Sequence, residues 1–204
     1  MNLPKTCEVN RFVAKKKFYE HTNMSETVKN SFINDIEKIT WDYKLATDTL
    51  NLSKTDNVIE IEIFTINLSN KTIPNSALKV INKSIPYKIL FNLICDNDYC
   101  YALIENDTIY NTNWNEEIDF QFNGLNLENV WNNIIKEVIK ETNNNSSIDV
   151  ILDNKNKIDE LKNKINKLKI QADREKQFNR QIELDHEIKK LKKELEEYIN
   201  ENKC

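Results

Sequence analysis

From Ser25 onward, Val28, Phe32, Ile36 and Ile39 recur at intervals of four, four and three, which is one face of an amphipathic helix. Ser25 stands ahead of Glu26-Thr27-Val28-Lys29 as an N-cap, so the pattern predicts a helix running to about Leu45. The period then changes to two. Within Val58 to Ile66, Ile59, Ile61 and Ile63 alternate with Glu60 and Glu62, which predicts a strand with isoleucines buried and glutamates in water. Pro74 opens a short helix carrying Leu78, Ile81 and Ile85, and Pro86 launches an extended run from Lys88 to Cys95. Strand, helix, strand predicts a crossover unit.

Asp96-Asn97-Asp98 turns the chain into Cys100 to Ile104, a hairpin, and Thr108 to Asn111 and Ile118 to Phe122 read as further short strands. Leu127, Val130, Trp131, Ile134, Ile135 and Val138 return to helical spacing and close the domain near Lys140. The fold class expected is α+β, a mixed sheet of four or five strands packed with helices. It occupies residues 1–145, followed by a polar linker over 146–154 and a coiled-coil tail over 155–204.

In the tail, Ile158, Leu161, Ile165, Leu168 and Ala172 alternate by three and four, as do Leu184, Ile188, Leu191, Leu195 and Tyr198. The two seams do not join in phase, and the interruption falls between Glu175 and Arg180. Either one helix with a local phase shift or an antiparallel hairpin bent there fits the pattern. The absence of Gly and Pro between Lys155 and Cys204 favours the continuous helix. A helix of that length would project about 65–70 Å. A small domain cannot cover such a stripe, so a partner or a second copy of the chain is expected. The stripe, with Gln177, Phe178, Asn179 and Arg180 at the irregularity, is the candidate partner-binding surface. A parallel homodimer would bring two Cys204 thiols together.

Composition sharpens what the chain can do. Hydrophobic residues make up 39% of 204, enough for one sizeable core. The net charge is −4, and 21 of the 33 acidic residues but only 15 of the 29 basic ones precede Asp153. An acidic body disfavours broad phosphate neutralisation, leaving room only for a local nucleic-acid site. No stretch approaches the roughly 18 apolar residues of a membrane span and the amino terminus lacks an apolar leader, so a cytoplasmic protein is expected.

The single glycine, Gly124, excludes a Walker-type loop and a dinucleotide fingerprint. Cys7, Cys95, Cys100 and Cys204 have no metal-ligand spacing, and neither His21 nor His186 stands near a pair of them, so no metal and no cofactor is expected. Cys95 and Cys100 would face each other across the hairpin as small core residues. No constellation of catalytic residues emerges.

Arg11, Lys15, Lys16 and Lys17 are interleaved with Phe12, Phe18 and Tyr19, the chemistry for gripping phosphate while stacking bases; against it, Phe12 and Phe18 could pack on the domain with the lysines solvated. Glu37, Asp42, Glu60 and Glu62 supply oxygens for a metal-dependent nuclease, but the strands lack an acidic pair followed by a lysine pointing the same way.

Several segments taken together carry a resemblance: Val9-Asn10-Arg11 to Lys17-Phe18-Tyr19, Ile39-Thr40-Trp41-Asp42-Tyr43-Lys44-Leu45, Ile85-Pro86-Tyr87-Lys88-Ile89-Leu90-Phe91, and Gln177-Phe178-Asn179-Arg180-Gln181-Ile182-Glu183-Leu184. The chain resembles the bacterial family called domain of unknown function 4391 over nearly its whole length. The resemblance implies no catalytic residues. It implies gene neighbours that include a helicase and a DNA methyltransferase, in clusters that look like restriction or anti-phage systems. The leading expectation is therefore a non-enzymatic adaptor of such an assembly, partnered by the helicase or methyltransferase. A nucleic-acid-binding module and a metal-dependent nuclease are the alternatives.

Overall fold

The computed structural model describes residues 3–19, 24–140 and 146–201. They fall into two compact units, Met1–Lys140 and Glu141–Cys204.

In the first unit six strands pair in chain order: β1 (Glu8–Phe12), β2 (Ile36–Leu45), β3 (Ile61–Leu68), β4 (Lys88–Cys95), β5 (Asp98–Glu105) and β6 (Thr108–Asn111). All neighbours are antiparallel except β3 and β4, which are parallel. The helix α4 (Asn75–Ser84) makes the crossover between them, as the alternation of strand and helix predicts. The α+β class holds, with six strands in place of four or five. Residues 118–122 form no strand, while β1 and β2 are strands that the apolar pattern did not predict.

The largest difference concerns the helix expected to reach Leu45. It is α2 (Glu26–Asn34), capped by Ser25, whose hydroxyl accepts from the Val28 amide, and closed where Ser31 donates to the Asp35 carboxylate at 2.7 Å. Beyond Asp35 the residues are β-formers, Ile36, Ile39, Thr40, Trp41 and Tyr43, and they build β2. Residues three apart lie on opposite faces of a regular strand. Here Ile36 opposes Leu68 while Lys38 opposes Asn67, a one-residue bulge, and both Ile36 and Ile39 turn into the core, fully buried. The bulge reproduces helical spacing in a strand. A second bulge falls between Trp41 and Tyr43.

On one sheet face, Phe64, Ile66, Leu68, Phe91 and Leu93 pack with Phe32 of α2 and with Leu78 and Ile81 of α4. Each such burial contributes about 1.5–3 kcal/mol. The other face carries α5 (Leu127–Ile139), packed on β5 and β6. Its Trp131 indole donates to Glu105 at 2.6 Å, and Lys88 donates to both oxygens of the same carboxylate at 2.7 and 3.0 Å. β3 is buried along both of its faces, so Glu62 is buried rather than solvated, while Ile59 lies before the strand and is half exposed. Cys95 and Cys100 are buried free thiols on adjacent strands. Cys100 opposes Leu93 and Cys95 opposes Asp98, so the two sit diagonally rather than facing.

The second unit contains α6 (Ile148–Arg174) and α7 (Phe178–Glu201), packed along one another. The continuous helix favoured by the absence of Gly and Pro does not form. Tyr198, near the end of α7, donates its hydroxyl to Asn154, near the start of α6, at 2.9 Å, so the helices run antiparallel. The first helix begins at Ile148, inside the stretch expected as linker. Cys204 lies outside the described residues. Among those residues no helix is long and apolar enough to cross a membrane.

Candidate functional site

The bend between α6 and α7 is made by polar side chains. Glu175 leaves the helical region with φ −72° and ψ 134°, and its amide still donates to the Gln171 carbonyl at 3.0 Å. Its carboxylate then accepts from the amides of Lys176 (2.8 Å) and Gln177 (3.0 Å), and its carbonyl accepts from the Gln181 side chain at 2.6 Å. One glutamate thus satisfies amides that a helix start leaves unpaired. The amides of Gln177 and Lys176 hold its carboxyl below the usual carboxylate range. Arg180 pairs with Glu183 at 2.6 Å.

This bend decides the fate of the candidate partner-binding residues. Leu161, Ile165, Leu184 and Ile188 are buried, and Ile158, Leu168, Leu191 and Leu195 are half-buried, as two facing seams of one hairpin. The stripe that a continuous helix would leave uncovered is in large part covered by its own other half. Gln177, Phe178, Asn179 and Arg180, by contrast, are all exposed at the bend. Phe178 is 73% exposed, and Ile182, one turn further along the same side, is 41% exposed. An open cavity of about 330 Å³ at the bend is lined by Gln171, Arg174, Glu175, Arg180 and Leu184, and neither Phe178 nor Ile182 borders it.

The basic-aromatic segment is divided. Arg11 lies exposed on the edge strand β1, its guanidinium 5.9 Å above the Trp41 ring. The Lys15 ammonium donates to the Ile36 carbonyl at 2.5 Å, tying the segment to the start of β2. Lys16 and Lys17 are exposed at the head of the short helix α1 (Lys16–Tyr19). Phe18 is buried and Tyr19 half-buried, with ring centroids 6.0 and 5.7 Å from that of Phe32. These two aromatics serve the core, whereas Phe12 is 62% exposed.

A third arrangement was missed in the sequence because β2 read as helix. In the true register Lys44 opposes Glu62 across β2 and β3, and its ammonium lies 3.5 Å from Glu60 and 3.4 Å from Asp48. The lysine that the acidic strand lacks comes from its neighbour. Glu62 is only 4% exposed, and its Oε2 has no hydrogen-bond partner among the described residues. Burial pushes its carboxyl pKa far up, and Glu60 beside it pushes the same way, with Trp41 and Lys44 opposing less strongly. Burial works to lower the Lys44 pKa, but Glu60 and Asp48 outweigh it and hold the ammonium above its ordinary range.

Asp42 is not part of this group: it accepts from the Thr65 hydroxyl, which in turn accepts from Asn92 at 3.0 Å. Glu37 is exposed at the opposite end of β2. No three His, Cys, Asp or Glu side chains converge as a metal-ligating set among the described residues. Burial pushes the Cys100 thiol up to about 12.

A six-stranded α+β domain joined to an antiparallel helical hairpin is the class of protein that these elements define. A family model described as Domain of unknown function (DUF4391) matches residues 1–195, and the chain belongs to that family. No curated protein and no solved structure matches it.

Proposed function

We propose that this protein is a non-enzymatic docking subunit, presenting the bend of its helical hairpin to a protein partner in a bacterial restriction-like, anti-phage DNA-defence assembly. Phe178 carries the reading. An aromatic ring 73% exposed at the first position of a helix, with Ile182 one turn behind it, has the composition of an interface anchor. The heptad seams are spent on one another, so the bend rather than the stripe is the element left for docking. The family resemblance supports a helicase or a DNA methyltransferase as the partner, and the cytoplasm as the place where they meet. A parallel coiled coil through the same seams would have to open the contacts that the two helices already bury.

The test is purification of the tagged full-length protein from its native host, beside a variant carrying Phe178→Asp and Ile182→Asp. The reading requires the wild type to bring down a helicase or DNA methyltransferase and the variant to lose it while keeping its helical content. Equal recovery by the variant, or recovery of the wild type alone, would overturn it.

A further inference from the structure

We propose that Glu60 and Glu62 form a binding site for one hard divalent cation, Mg²⁺ or Mn²⁺, at the start of β3. This goes beyond the docking reading and is independent of it. Buried polar atoms in folded proteins are almost all hydrogen-bonded, and an exception calls for a missing partner. Glu62 Oε2 is such an exception among the described residues, on a side chain that is 4% exposed and set beside the Glu60 carboxyl. Two carboxyl groups brought together in apolar surroundings repel once ionised. The nearby cation does not compensate both, because Lys44 divides its ammonium between Glu60 at 3.5 Å and Asp48 at 3.4 Å. A dication supplies the missing positive charge and the missing partner for Oε2 at once.

The chemistry of the donors selects the ion. Both are carboxylate oxygens, and neither thiol nor imidazole is present, which fits a hard cation and not zinc or copper. Mg²⁺ and Mn²⁺ are commonly held by one or two carboxylates, with water in the remaining positions. A cavity of about 370 Å³ opens beside Glu60, bounded by Ile59, Pro86, Tyr87, Lys88 and Asp107. Trp41 borders the site, stacked on Phe64 at 6.4 Å and in reach of Glu62, and is therefore a built-in reporter.

The experiment uses the full chain after chelator treatment, titrated with Mn²⁺. Free Mn²⁺ is followed by electron paramagnetic resonance and the indole N–H signals by NMR. One Mn²⁺ per chain should bind, broadening Trp41 ahead of Trp114 and Trp131. Glu62→Gln and Glu60→Gln should each weaken binding by about tenfold or more. Glu60, nearer the surface, keeps the test decisive if the Glu62 variant fails to fold. Absence of Mn²⁺ binding, binding unchanged in the Glu60 variant, or broadening that spares Trp41 would each overturn the proposal.

Discussion

The Tyr198 hydroxyl donates to the Asn154 side chain at 2.9 Å across forty-four positions of sequence, fixing the second unit as a closed hairpin. Spin labels at positions 154 and 198 should therefore report a short separation, within reach of two packed helices. An unbroken helix would place them about 66 Å apart. Electron–electron resonance distance measurement distinguishes the two, and a long distance would refute the bend at Glu175.

The seams hold that hairpin together. Leu161→Ala removes a buried side chain and should destabilise the helical pair by about 2–5 kcal/mol, read by urea denaturation. Phe178→Asp and Ile182→Asp alter exposed positions and should each stay within about 0.5 kcal/mol of the wild type. The contrast separates residues that build the hairpin from residues that it displays.

Glu62 gives the metal-free protein a pH dependence. Its carboxyl remains protonated in the fold up to about pH 9, whereas in the unfolded chain it ionises near 4.5. The folded state thus holds the extra proton across that window, and stability falls as pH rises, with a slope from this group of at most about 1.4 kcal/mol per pH unit. The groups facing it are Glu60, Lys44 and Trp41, with Asp48 beyond Lys44, and Lys44 keeps its charge throughout the window. Glu62→Gln, which imitates the neutral acid, should flatten the profile and raise stability at pH 8, as chemical denaturation at several pH values would show.

Lys15 and its two neighbours should respond differently. Losing the Lys15 bond to the Ile36 carbonyl should cost about 1–2 kcal/mol of stability. Lys16→Glu with Lys17→Glu alters exposed positions at the head of α1 and should leave the fold intact. A nucleic-acid-binding assay on the basic segment is therefore cleanest with that pair. If such binding exists, the pair reduces it and flattens its salt dependence.

What the sequence made legible followed from simple periods. The crossover of β3, α4 and β4, the hairpin through Asn97, and the helix α5 all have clean alternation or clean helical spacing with turn residues at their ends. β2 was hidden because a bulge beside Ile36 gives a strand the three-residue spacing of a helix, and with β2 went the position of Lys44 opposite Glu62. Glu62 itself looked solvated because alternation identifies two faces of a strand but not whether both are covered. The hairpin bend was located correctly by its loss of seam phase. Its nature escaped because Glu175 does by side-chain capping what Gly or Pro would have announced.

The docking claim is tested most directly by placing a photo-crosslinking phenylalanine analogue at position 178 of the full-length protein and irradiating cells of the native host. The account predicts covalent attachment to a helicase or DNA methyltransferase, with the attached peptide identified by mass spectrometry, and none from a control position on the buried seam such as Leu161. Cross-links confined to this chain itself, or equal labelling from both positions, would contradict it.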